Sequence, residues 1–294
     1  MNISIMRVGQ VAALLASIAA LESVGSLAAA DSFTPHCTLP ATLDEAKARL
    51  DRLASRGADL PMIVSCGPEG VAATPAHRAQ NAAKNEFCAA GRAAVLRHSD
   101  FVMLQREAER RDIRFGSANR LPEDRAVLRD MVRLPNGAQV GEGSLVRHVA
   151  FLSHPRYSNT GKGESVNCKH GGVANNDIHV DLVAAPDDPA CRSITAEISP
   201  HFRPRAWERD VLDSVRDRPL RVTGHLFFDA AHRPCRNDND HVQPMRASLW
   251  EIHPVYAIDV CRRRTLSGCR ATDESVWIAL ESYRNVPQEE EDDD

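Results

Sequence analysis

Two short runs place imidazole and carboxylate groups on one side of an extended chain. In Asp177-Ile178-His179-Val180-Asp181-Leu182 polar and apolar residues alternate, and a β-strand sends successive side chains to opposite faces. Ile178, Val180 and Leu182 then line a core, and Asp177, His179 and Asp181 face out. The run from Ser193 to Ser199 repeats the pattern, with Ile194, Ala196 and Ile198 opposite Thr195, Glu197 and Ser199. If the two strands pair, His179, Asp181 and Glu197 share one surface. Imidazole and carboxylate are ordinary ligands of a divalent metal, and a metal there would activate water. The plainer outcome is a solvated strand face with one cross-strand hydrogen bond.

Glu251 and His253 form a second pair, two residues apart in Trp250-Glu251-Ile252-His253-Pro254. The spacing puts them on one strand face, where they are either an acid–base couple or a buried histidine tethered to Glu251 or a carbonyl. The tether is the favoured reading. His225 and Asp229 read the same way. A serine nucleophile is disfavoured: Gly163-Glu164-Ser165-Val166-Asn167 lacks the second glycine of a nucleophile elbow. Asn159-Thr160-Gly161-Lys162-Gly163 lacks phosphate-loop spacing and a following helix, and reads as a mobile loop able to touch an anion.

The elements that must hold these residues come in a particular order. Strands are expected over 145–152, 177–183 and 193–199, then a helix over 205–216, then strands over 220–228 and 247–260. Pro254 interrupts the last and marks a bulge or an edge. Three strands, a helix and two strands is the order of an OB-fold, a five-stranded, partly open barrel. Its ligand face would be strands two and three, framed by the polar connections 156–176 and 230–246. Tyr157, in the first of these, is the aromatic placed to stack on a ligand. Before the barrel, 31–140 reads as a small helical region. One helix opens at the capping box Thr42-Leu43-Asp44-Glu45 and stops at Gly57. A second opens at Thr74-Pro75, a third at Ser99-Asp100 and a fourth after Leu121. Their apolar stripes indicate packing, with no chemistry. The expected class is therefore α+β: residues 1–30 a signal peptide, 31–140 helical, 141–283 the OB-fold-like barrel with one helix between strands three and four, and 284–294 an acidic tail.

Gly163-Glu164-Ser165-Val166-Asn167-Cys168, Asn176-Asp177-Ile178-His179, Ala196-Glu197-Ile198-Ser199-Pro200-His201-Phe202 and Leu249-Trp250-Glu251-Ile252-His253-Pro254-Val255 together give a chain that resembles a family of uncharacterised exported bacterial proteins with an OB-fold-like domain. The resemblance spans roughly 140–270, with fainter likeness at Ala83-Lys84-Asn85-Glu86-Phe87-Cys88. It implies architecture and export, and supplies no catalytic residues.

Export is also read from the first thirty residues. Arg7 precedes an apolar run from Val11 to Leu21, and Ala28-Ala29-Ala30 suits a signal peptidase. The run is too short to span a bilayer, and no other segment reads as transmembrane. Eight cysteines follow, Cys37, Cys66, Cys88, Cys168, Cys191, Cys235, Cys261 and Cys269. An even count in an exported chain points to disulfides. Cys261–Cys269 and Cys66–Cys88 are the expected local pairs, and Cys168 and Cys235 would cross-link the two long loops directly or through Cys191. Structural zinc is disfavoured, because no Cys-x-x-Cys pair exists. The net charge of -4 owes much to Glu289–Asp294, so global charge makes no case for nucleic acid, and the acidic face of strands two and three disfavours it locally. The leading expectation is a periplasmic or secreted binding module of unknown ligand, with Tyr157, His179, Asp181, Glu197, Glu251 and His253 at the site. The alternatives are a metal-dependent hydrolase or nuclease-like enzyme using His179, Asp181 and Glu197, and a structural envelope protein.

Overall fold

The structure is a computed structural model that describes residues 66–283 apart from 88 and 90. The expected signal segment, the helix opened by Thr42, Cys37, Cys88 and the acidic tail lie outside the described residues.

Five strands close a barrel: β4 (Leu145–Tyr157), β5 (Ile178–Val183), β6 (Ile194–Ile198), β7 (Pro219–Phe228) and β8 (Trp250–Cys261). Their spatial order is β4-β5-β6-β8-β7, and β7 pairs back onto β4. All pairs are antiparallel except β6 with β8, which meet in parallel at Ala196 and Ile252. Closure satisfies backbone groups that an open sheet would leave on its edges. Ile178, Val180, Leu182, Ile194, Ala196, Ile198, Val222, Leu226, Trp250 and Ile252 fill the interior and are at most 1% exposed. The alternation in the sequence thus assigned the two faces correctly.

Pro254 follows a cis peptide bond and sits where the β7–β8 register shifts around Gly224. Only glycine fits opposite it: a Cβ on Gly224 would lie 2.4 Å from the Pro254 carbonyl oxygen. Between β6 and β7 the expected helix is a 3-10 turn at Arg205–Trp207 followed by the short helix Arg209–Asp213. Trp207, Leu212 and Val215 are buried there, as the apolar stripe requires.

Upstream of the barrel are α1 (Pro75–Lys84) and α2 (His98–Arg110). Thr74 caps α1 by accepting from the His77 amide at 3.2 Å, with Pro75 in the first turn. The fourth helix expected after Leu121 is instead a single 3-10 turn, Arg125–Leu128. Asp130, at φ 48°, turns the chain out of helical geometry, and β2 (Val132–Arg133) and β3 (Gln139–Val140) form a small hairpin. The region is also less purely helical than expected because β1 (Ala94–Leu96) joins the barrel sheet parallel to β4. Leu96, Phe101, Leu104 and Leu128 belong to the same apolar core as the barrel residues. At the far end β9 (Trp277–Ala279) pairs with β8. No helix among the described residues is long and apolar enough to cross a membrane.

The disulfides are Cys66–Cys168, Cys191–Cys235 and Cys261–Cys269. The last is the expected local pair. Cys66 does not pair with Cys88. It reaches across 102 residues to the loop after β4. The two long loops are not cross-linked to each other either. The first is stapled to the segment before α1, and the second, through Cys235, to the turn between β5 and β6. The Val71 amide donates to the Ser165 carbonyl, so the segment after Cys66 lies directly against the first loop, and closeness along the chain predicted only the Cys261–Cys269 pair.

Candidate functional site

His179 and Glu197 are register partners across β5 and β6. The outward polar face they share is not solvated. Helix α1 and the connection 158–177 lie over it, and Asp177, Asp181, Glu197, Glu251 and His253 are all buried. Helix α1 makes this possible by carrying polar residues at helical spacing. Gln80, Asn81 and Lys84 are buried on one side of it, beside Ala76 and Ala83. A charged strand face and a polar helix stripe meet where an apolar contact would be the rule.

Glu197 is the hub. Its Oε2 lies 3.2 Å from Lys84 Nζ and 2.6 Å from His253 Nδ1, and its Oε1 lies 3.3 Å from His179 Nε2. Glu251 Oε1 is 3.5 Å from His253 Nδ1 and 4.0 Å from Lys84 Nζ. Its Oε2 accepts from Arg246 Nη1 at 2.6 Å. Arg246 also donates to Asp229 Oδ2 at 2.5 Å, and the same oxygen lies 2.6 Å from His232 Nδ1. Gln80 Nε2 donates to Asp229 Oδ1 at 3.2 Å, so helix α1 grips the lattice at two points. Asp177 stands slightly apart: its Oδ1 accepts from Asn167 at 3.3 Å, and its Oδ2 has no partner.

These contacts set the charge states. Burial opposes ionisation of Glu197, yet His179, Lys84 and His253 hold its pKa well below the carboxylate range. Burial alone would neutralise His253, but Glu197 raises it to about 10. Lys84 is likewise raised, against burial, by Glu197 and Glu251. Burial opposes the charge of Asp229 as well, and Arg246 and His232 keep it ionised. Asp177 moves the other way: burial and the Glu164 charge lift it to about 7. Perturbation of this density beside a cleft is a mark of functional sites, although structural ion pairs produce it as well.

The cleft holds about 530 Å³ and opens over this lattice. Lys84, His179, Glu197 and Asp229 contribute to its wall from α1 and the barrel, and Lys162, Glu164, Ser165 and Lys169 from the first loop. His232, Gln243 and Pro244 come from the second loop. Glu164 accepts from Ser158 and from Asn159, and its Oε1 is 3.8 Å from His179 Nε2. Ser165 Oγ lies 3.1 Å from His77 Nε2 and 3.3 Å from Asn81 Oδ1. Burial, with Lys169 and Lys84 nearby, keeps His77 below the ordinary histidine pKa. Ser165 is held from behind as well: Gly70, at φ 54°, packs so close that a Cβ would lie 2.1 Å from its carbonyl oxygen. A second hollow of about 650 Å³ flanks the alanine side of α1. Its central charges, Arg125 and Glu142, are already paired with each other.

The expected site residues therefore divide. His179 and Glu197 meet and line the cleft. Glu251 and His253 meet behind Glu197, closer to the tethered reading than to a solvent-facing couple. Asp181 lies on the same face but accepts from Arg156. The His, Asp and Glu side chains among the described residues that offer three ligand atoms within 4.8 Å of one another are Asp177, Glu197 and His253. This group could hold a metal, and it shares only Glu197 with the expected set. Tyr157 does not line the cleft. Its hydroxyl donates to Glu208, and Arg203 and Arg209 lie 5.7 and 6.0 Å from its ring.

The sequence reading missed Lys84, Gln80 and His77 because it assigned α1 to packing alone. The signal was present: His77, Gln80, Asn81 and Lys84 recur at helical spacing, too polar a stripe for a helix against a greasy surface. Comparison with family models, with curated proteins and with solved structures finds no match to this chain.

Proposed function

We propose that this chain is an exported, disulfide-stapled binding protein of OB-fold-like design that takes a small anionic ligand in the cleft over β5 and β6. With β4, β5, β6, β7 and β8 as strands one to five, the spatial order is one-two-three-five-four, the order expected of an OB-fold. The cleft lies over strands two and three between the first and last long loops, where OB-folds take their ligands. The carrying observation is the contrast between floor and mouth. The floor carboxylates are matched by Lys84, His253 and Arg246. Lys162 and Lys169 stand exposed at the mouth and make no ion pair among the described residues. Two free ammonium groups over a compensated floor favour a phosphate, sulfate or carboxylate. Tyr157 is half-buried and lies outside the cleft lining, which favours a small ligand over a stacked base, since single-strand binding relies on open aromatic platforms.

Calorimetric titration of the mature chain, residues 31–294, with inorganic phosphate, sulfate and citrate tests this. Saturable binding of at least one anion, weakened about tenfold or more in Lys162→Ala/Lys169→Ala, is the expected result. No saturation by any of the three, in folded protein, would overturn it. The enzyme reading has one specific support, the His179–Glu197 pair at the cleft floor. It requires turnover of a phosphodiester such as bis(4-nitrophenyl) phosphate that His179→Ala abolishes. Export is checked by amino-terminal sequencing of the secreted material, which should begin at Asp31.

A further inference from the structure

We propose that Asp177, Glu197 and His253 form a binding site for one first-row divalent cation, zinc or manganese, behind the floor of the cleft. The site goes beyond the anion-binding reading and does not depend on it: of the three side chains, Glu197 alone lines the cleft.

Geometry comes first. One ligand atom from each residue falls within 4.8 Å of the other two, and each residue is 1% exposed. A four-coordinate cation bonded at about 2.0–2.2 Å sets its ligand atoms about 3.3–3.6 Å apart, so the widest separation closes by up to about an ångström when the ion binds. The second observation is independent of that clustering. Asp177 Oδ2 is buried without a hydrogen-bond partner, and so is His253 Nδ1. His253 Nδ1 lies 2.6 Å from Glu197 Oε2, yet off the line of a hydrogen bond. That contact is an ion pair, and a cation bound at His253 Nδ1 takes the place of its proton, while Asp177 Oδ2 has no partner to give up. Buried polar atoms almost always have partners, and Glu251 Oε1, also without a hydrogen-bond partner, lies 3.5 Å from His253 Nδ1.

Charge supports the same conclusion. Glu164, Asp177, Glu197, Asp229 and Glu251 gather around Lys84, Arg246 and His253, and Asp177 is the one of the five with no cationic side chain in ion-pair contact among the described residues. A divalent ion between Asp177 and Glu197 relieves the repulsion between these two carboxylates. The supporting shell is in place, because Asn167 donates to Asp177 and Lys84 to Glu197, and such outer contacts orient metal ligands. The described cysteines are all in disulfides, so the donor set is one imidazole and two carboxylates. That set suits zinc or manganese and not a thiophilic ion.

The test is titration of chelator-treated mature protein with Zn2+ and with Mn2+, followed by calorimetry and by melting temperature. One ion per chain, a raised melting temperature, and loss of both in Asp177→Asn but not in His179→Ala support the site. No stoichiometric binding to folded wild-type protein overturns it. Binding that survives Asp177→Asn and is lost in His179→Ala also overturns it, by moving the metal to the cleft. If Asp177→Asn does not fold, 15N-histidine NMR of the wild type decides. A Zn2+-dependent shift at His253 Nδ1 supports the proposal, and a shift confined to other histidines overturns it.

Discussion

Lys84 on α1 and Glu197 on β6, separated by 113 residues, form a buried ion pair at 3.2 Å. Helix and barrel are joined there by charge and not by an apolar seam. Removing one member of a buried pair leaves the other uncompensated, which typically costs about 3–5 kcal/mol. Lys84→Met should lose stability on that scale in urea unfolding at neutral pH. A loss below about 1 kcal/mol would mean that His253 and His179 suffice to hold Glu197, and that Lys84 is not the clasp.

His148 supplies an acid-labile element away from the cleft. Its Nδ1 donates to the Leu96 carbonyl at 2.9 Å, binding β4 to β1, and its ring meets Phe101 edge-on. Burial lowers its pKa to about 4. The unfolded chain, titrating near 6.5, binds more protons between these values. The contribution is therefore fully present above about pH 6.5 and lost as pH falls toward 4, by up to about 3 kcal/mol. His148→Asn should flatten the stability profile across that window. An unchanged slope would assign the acid sensitivity to other groups.

The disulfides should differ in weight. In the chain-entropy account stabilisation grows with the loop closed. Cys66–Cys168 closes 102 residues, Cys191–Cys235 closes 44 and Cys261–Cys269 closes 8. The paired Cys→Ala variants should lose about 4.7, 4 and 2.5 kcal/mol in that order, measured by guanidinium unfolding. The reverse order would show that local strain or residual structure dominates. Loss of Cys66–Cys168 should also loosen the Lys162–Lys169 wall, read as faster amide exchange there.

Gly70 tests how the first loop is held. Gly70→Ala adds a Cβ where the Ser165 carbonyl sits and forces a side chain to adopt φ 54°. A loss of about 1–3 kcal/mol is expected from the two effects together. Anion affinity should fall with it, because Ser165 and its neighbours line the cleft. Full stability with wild-type affinity would mean the loop adapts freely.

Barrel and site were legible to different degrees. Alternation over 177–183 and 193–199 was enough to place Ile178 and Ala196 inside and His179 and Glu197 outside, because a strand's period of two leaves no other choice. The same rule put Glu251 and His253 on one face and Pro254 at the bulge. Local chemistry also revealed the start of α1, through Thr74 and Pro75. What covers the outer face was decided only in three dimensions. Whether a strand face is wet depends on which distant segment lands on it, and nothing between 177 and 199 says that Lys84 will. The pairing of Cys66 with Cys168, and the convergence of Asp177 with His253, were hidden for the same reason. The sequence by itself determined the barrel and the direction of each side chain. Tertiary packing alone decided that the outward polar face is buried, and burial is what turns those side chains from solvated charges into a coupled site.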